Sequence, residues 1–152
     1  MRLLTEIVLQ TFQTSRLFIQ TPEAVFAAIA DPVRLARWWG PSGFTNAFEI
    51  FEFVEGGRWV LDMIGPDGTR YPNESVFTRI EPGRQVVIEH VCEPLFRLTI
   101  TLDRVPEGTL VQWVQVFADP VVAQAVRHVV EPANEQNLDR WGFEIGLSSD
   151  GR

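Results

Sequence analysis

Between Gly40 and Asp119 the apolar residues recur at every second position, whereas on either side of that stretch they recur at helical spacing. The alternation is one-sided. Phe96, Leu98, Ile100 and Leu102 oppose Arg97, Thr99, Thr101 and Asp103, and Trp59, Leu61 and Met63 oppose Arg58, Val60 and Asp62. Val111, Trp113, Gln115 and Phe117 share one side of a later segment, and Val86, Ile88 and His90 share one side of another. One wet face and one covered face define an antiparallel sheet that something else must cover. The spacing predicts strands over 48–54, 58–64, 76–80, 85–91, 96–104 and 109–117, with a further strand over 14–20. Turn signals at Gly56-Gly57, Gly65 to Gly68, Pro82-Gly83 and Pro106 to Gly108 separate most of them.

Helices begin where a short polar side chain precedes proline: Thr21-Pro22, Asp31-Pro32 and Asp119-Pro120. The polar residue can cap the first free amides, and proline suits the first helical position. The first helix is predicted over 22–30, with Val25, Phe26 and Ile29 on one face. The second runs from Pro32 to a stop at Gly40, and its stripe is Leu35 flanked by Trp38 and Trp39. The third runs from Pro120 toward Ile145, with Val126, Val130, Asn137 and Trp141 along one strip. Pro132 lies inside it, where proline removes a hydrogen bond and predicts a kink or break. The long helix is the obvious cover for the sheet.

Length suits one domain over 1–152 with a core of useful size. The net charge is -7 and every one of the 13 basic residues is arginine. An acidic chain with scattered arginines argues against a nucleic-acid surface, and the lack of lysine excludes Schiff-base chemistry. Glu6 and Gln10 interrupt the first apolar run too early for an export signal, and no run reaches membrane-spanning length. A cytoplasmic protein is expected. The apolar stretch 3–12 is expected to extend the first strand or to contribute to a homodimer; otherwise the chain is a monomer. The single cysteine, Cys92, forms no intrachain disulfide, and with His90 and His128 it offers no metal-ligand spacing. Neither glycine turn follows a phosphate-loop pattern, so neither metal nor cofactor is expected.

A curved sheet gripping a helix leaves room between them. The polar residues His90, Gln115 and Asn137 fall on its apolar surfaces, and a mostly apolar lining with a few polar groups describes a small-molecule site. Each has two readings. His90 is a hydrogen-bonded core residue, or it orients or protonates a ligand. Gln115 and Asn137 pair with each other or with backbone, or they contact a ligand. Trp38 and Trp39 are core, or one of them forms a pocket wall. Asp62 and Glu89 lie on the opposite side and are expected to be solvated.

The stretch DPVRLARWWGPSGFT, followed by GGRW, GPDGTRYPNE and EQNLDR, resembles the bacterial branch of the activator of heat-shock-protein-90 ATPase homologues. That branch belongs to the SRPBCC superfamily, with the START lipid-transfer domains and polyketide aromatase/cyclases, and the resemblance covers about 12–147. It implies an α+β helix-grip fold: a curved antiparallel sheet wrapped around a long C-terminal helix, with two short helices after the first strand. It also implies a deep apolar cavity, with Trp38 and Trp39 near it and the loop from Pro41 to Phe44 at its edge. Candidate ligand-binding residues are then Trp38, Trp39 and Phe44, Trp59, Met63, His90, Trp113 and Gln115 from the sheet, and Val130, Asn137 and Trp141 from the long helix.

Three functions follow. The first is a binding module for an apolar or amphipathic molecule of lipid or polyaromatic type. Burying about 300 Å² of such a ligand at roughly 25 cal/mol/Å² gives on the order of 7 kcal/mol before association costs, so micromolar affinity needs no charged anchor. The second is an aromatase/cyclase-type enzyme, for which the covered face offers His90 and little else as an acid or base. The third is a chaperone cofactor. The resemblance implies that eukaryotic relatives carry a separate N-terminal chaperone-binding domain, and the short segment before the matched region is expected to lack it.

Overall fold

A computed structural model describes residues 9–151. The elements are β1 (Thr11–Phe18), α1 (Pro22–Ala30), α2 (Pro32–Trp38), β2 (Thr45–Phe51), β3 (Arg58–Ile64), β4 (Arg70–Glu81), β5 (Gln85–His90), β6 (Phe96–Val105), β7 (Gly108–Phe117) and α3 (Pro120–Gly151). The strands form one sheet in the order β1-β7-β6-β5-β4-β3-β2, antiparallel at every pairing. The helix-grip architecture therefore holds: a curved sheet, a long C-terminal helix against it, and two short helices after the first strand.

The predicted caps all form. Thr21 Oγ1 accepts from the Ala24 amide at 3.2 Å, Asp31 Oδ1 from Val33 at 3.0 Å and Asp119 Oδ1 from Val121 at 2.8 Å. Each satisfies an amide that has no partner within its helix. Helix α2 stops at Trp38, because Trp39 leaves the helical region while its amide still bonds to the Leu35 carbonyl at 3.0 Å. Of the expected kink or break at Pro132, the break does not occur: helix α3 continues through the proline. It is held on both sides of the proline. Val126 and Val130 pack on the cluster of Phe12, Phe117 and Ala123, while Arg16 on β1 pairs with Glu135 at 3.0 Å and Asp139 at 2.7 Å. Together these contacts outweigh the ~3 kcal/mol that an interior proline costs.

Three strands differ from expectation. β1 lies earlier than 14–20, because its ladder to β7 starts at Thr11 opposite Val116 and ends at Phe18 opposite Thr109. Of the apolar stretch 3–12, residues 1–8 lie outside the described residues; Thr11 and Phe12 belong to β1. β2 also starts earlier, at Thr45, and bulges between Phe48 and Ile50. β4 is far longer than 76–80 and includes Pro72, which pairs with Asp62 on β3. Pairing of β4 with β5 begins only at Ser75, so Pro72 sits where the strand has a single neighbour and needs no amide on its other side. At the turn before β3, a Cβ on Gly57 would lie 2.0 Å from the Glu52 carbonyl oxygen. Only glycine permits that approach.

The core lies between the sheet and the helices. Trp38 from α2 stacks on Trp141 from α3 with centroids 4.6 Å apart and planes 4° apart. Glu144, almost fully buried on α3, accepts from Arg37 at 2.9 and 2.8 Å and from Arg34 at 3.2 Å, tying α2 to α3. The Arg37 guanidinium, assisted by Arg34 and opposed by burial, holds the Glu144 carboxyl below its usual range. Asp62 and Glu89 lie on the outer face, paired with Arg70 and Arg97. Among the described residues no helix is long and apolar enough to cross a membrane.

Candidate functional site

A cavity of about 260 Å³ lies between the sheet and α3, at the small end of ligand pockets. Alternation on β3 brings in Trp59, Leu61 and Met63; β5 and β6 contribute Ile88, His90, Phe96 and Leu98; β7 contributes Trp113 and Gln115. One face of α3 supplies Val129, Val130, Ala133, Asn134 and Asn137. Trp39, Gly40 and Pro41 close one side from the α2–β2 loop. Among the described residues, no aspartate, glutamate or arginine side chain lines the cavity.

The loop is pinned from α3. Arg140 Nη1 donates to the carbonyls of Trp39, Gly40 and Pro41, each at 3.0 Å, and Nη2 donates to Arg37 at 2.8 Å and Phe44 at 2.9 Å. Asn46 Nδ2 adds bonds to Ala36 O at 3.0 Å and Trp39 O at 2.8 Å. These donors satisfy carbonyls that the end of α2 leaves free.

Eight of the predicted site residues meet at the cavity: Trp39, Trp59, Met63, His90, Trp113, Gln115, Val130 and Asn137. Three lie elsewhere. Trp38 and Trp141 are the stacked core pair, their N–H groups donating to Ala28 O at 3.0 Å and Val25 O at 3.3 Å. Phe44 lines an outer groove with Phe143, and its ring packs toward Tyr71 with centroids 6.0 Å apart. The adjacent tryptophans thus divide: Trp38 enters the core, and Trp39 faces the cavity.

The polar residues do not pair with one another. Gln115 Oε1 accepts from Asn134 Nδ2 at 3.0 Å, and Asn137 Nδ2 donates to Trp38 O at 3.0 Å. His90 Nδ1 donates to Pro94 O at 2.8 Å, its Nε2 lies 2.6 Å from Asn73 Oδ1, and its ring stacks on Phe96 at 4.4 Å. Sequence reasoning missed Asn73, Ser75 and Asn134. The first two share a face of β4 with Phe77, but Pro72 hid that part of the strand. Asn134 stands three residues before Asn137 and four after Val130, so helical spacing alone would have found it.

Burial pushes the His90 imidazole below its ordinary pKa, and the Pro94 carbonyl, which favours the charged ring, only partly opposes this. With the folded pKa depressed, the unfolded chain binds the proton more readily. The stabilising contribution is therefore complete above about pH 6.5 and is lost as pH falls through the window just below it. Urea midpoints between pH 7.5 and 5 should fall toward acid, and His90→Asn should flatten that slope. An unchanged slope in the variant would assign the effect to other groups.

A curved antiparallel sheet holding a long helix over an internal cavity defines a helix-grip protein. The family described as activator of Hsp90 ATPase homolog 1-like protein matches residues 20–141, and the chain belongs to it. Solved structures share the fold. A protein from Arthrobacter aurescens superposes with a TM-score of 0.85 at 24% identity, covering 93% of this chain and 88% of that one. Protein NE0264 from Nitrosomonas europaea gives 0.84 at 13% identity, covering 93% and 97%. An AHSA1-like protein from Aeromonas hydrophila gives 0.72 at 23% identity, covering 91% and 94%. No curated protein matches the sequence.

Proposed function

We propose that this protein binds a small, largely apolar and uncharged molecule between the sheet and α3, in contact with Trp39, Trp59, Met63, His90, Trp113, Gln115, Val130 and Asn137. The supporting observation is a cavity with tryptophan and aliphatic walls, a few amides and, among the described residues, no aspartate, glutamate or arginine side chain. Its volume favours a compact ring molecule over a long acyl chain. The reading takes the protein as one cytoplasmic domain that meets its ligand free in solution. A cyclase-type reaction has less support. Both His90 nitrogens are already engaged, and among the described residues no carboxylate lines the cavity to carry a second proton. Chaperone association rests on the family name alone.

Ala133 lines the cavity from α3, so Ala133→Phe places a ring in the space a ligand would take. Titration of the wild type with the neutral dye N-phenyl-1-naphthylamine should give saturable fluorescence enhancement. Ala133→Phe should keep the native circular dichroism spectrum and lose affinity by about tenfold or more, the factor worth 1.4 kcal/mol. Equal binding by a folded Ala133→Phe would move the site elsewhere.

A further inference from the structure

The five tryptophans of this chain fall into two sets. The two outside the cavity, Trp38 and Trp141, each donate their N–H to a backbone carbonyl. Two of the three that line it do not. The Nε1 atoms of Trp59 and Trp113 are buried with no hydrogen-bond partner, and these residues are only 1% and 2% exposed. Tryptophan buried for packing alone normally finds an acceptor, as the core pair does. Two donors left unpaired in one cavity wall point to an acceptor supplied from outside the chain.

We propose, building on the binding reading above, that the ligand is a neutral ring molecule bearing an oxygen acceptor of the ketone, quinone or ether class, received by the indole N–H of Trp59, Trp113 or both. Neutrality follows from the lining. A carboxylate would be buried with no cation among the lining residues, at a cost that uncharged donors do not offset.

Trp39 packs beside both donors from the loop. Its ring packs against Trp59 at 4.9 Å and Trp113 at 5.9 Å between centroids. Its backbone is fixed: the amide bonds to Leu35 O at 3.0 Å and the carbonyl accepts from Asn46 at 2.8 Å and Arg140 at 3.0 Å. Its ring also meets Trp38 at 5.7 Å, so three indoles contact it.

Three isosteric probes test this: 2-acetonaphthone, 2-isopropenylnaphthalene and 2-naphthoate, titrated by calorimetry. The ketone should bind about tenfold tighter than the hydrocarbon, the scale of one good hydrogen bond, and the carboxylate should bind weakest. In ¹H–¹⁵N spectra of the wild type, the ketone should move the indole N–H signals of Trp59 or Trp113 downfield and leave those of Trp38 and Trp141 in place. In folded Trp113→Phe, Trp59→Phe and double variants the ratio of ketone to hydrocarbon affinity should fall toward one, whatever each variant does to binding of the hydrocarbon itself. Equal binding of ketone and hydrocarbon, with the indole signals unmoved, would overturn the acceptor proposal and leave the cavity reading standing. Tightest binding by the carboxylate would overturn neutrality. Binding by none of the three would count against both readings.

Discussion

Arg140→Met should lower the free energy of unfolding by about 3–4 kcal/mol. The guanidinium donates to five backbone carbonyls, those of Arg37, Trp39, Gly40, Pro41 and Phe44. Methionine keeps much of the stem's apolar contact and donates nothing. The carbonyls at the end of α2 and along the following turn then have only Asn46 and water. A hydrogen bond to a charged group contributes about 1.5–3 kcal/mol, and the more deeply placed acceptors cannot recover it from solvent. Arg140→Lys should recover little, since one ammonium cannot reach both ends of the array that the planar fork spans. Urea unfolding measures the loss. Gly40 and Pro41 line the cavity, so probe affinity should fall as well. A loss below 1 kcal/mol would mean that the loop holds its shape without the arginine.

Trp141→Ala should cost about 4 kcal/mol, within the 3–5 kcal/mol range for removing a buried aromatic ring. The indole is fully buried, stacked on Trp38 at 4.6 Å and edge-on to Phe18 at 5.7 Å. Its loss opens a void where α1, α2 and α3 meet and removes the donor to Val25 O. The near-ultraviolet dichroism of the stacked indoles should disappear with it. Trp141→Phe refills part of the space and should cost roughly half as much. Because Trp141 lies outside the cavity, the phenylalanine variant should still bind the neutral dye with nearly wild-type affinity. A tenfold weaker dye would place Trp141 in the ligand site after all.

Much of this arrangement was legible because one-sided alternation is local. Trp59, His90 and Trp113 were assigned to the covered face from their immediate neighbours, and the caps at Thr21, Asp31 and Asp119 needed only the next two or three residues. Features set by distant partners were not. Trp38 and Trp39 flank Leu35 symmetrically in the sequence, and what separates them is Trp141, a hundred residues on, which offers one a stacking surface. The resemblance sets Phe44 at the cavity edge, but its ring packs toward Tyr71 on β4, in the outer groove. Pro72 reads as a strand breaker until the sheet shows that its open side has no neighbour to bond. The unpaired indoles of Trp59 and Trp113 have no sequence signature, since the same residue type is fully bonded at Trp38 and Trp141.

The strand order also sets a schedule for folding. From β2 to β7 every neighbour in the sheet is the next strand in sequence, so that meander can zip one hairpin at a time with short loops to close. β1 is the exception: Thr11 must find Val116, and Phe18 must find Thr109. Loop closure over such a span is entropically costly and slow. The helix that covers the sheet follows β7 in sequence, so it is synthesised after every strand. A chain cut before Asp119 would have nothing to lay over the wall carrying Trp59 and Trp113, and it should aggregate more as its concentration rises, because two uncovered aromatic sheets can meet each other.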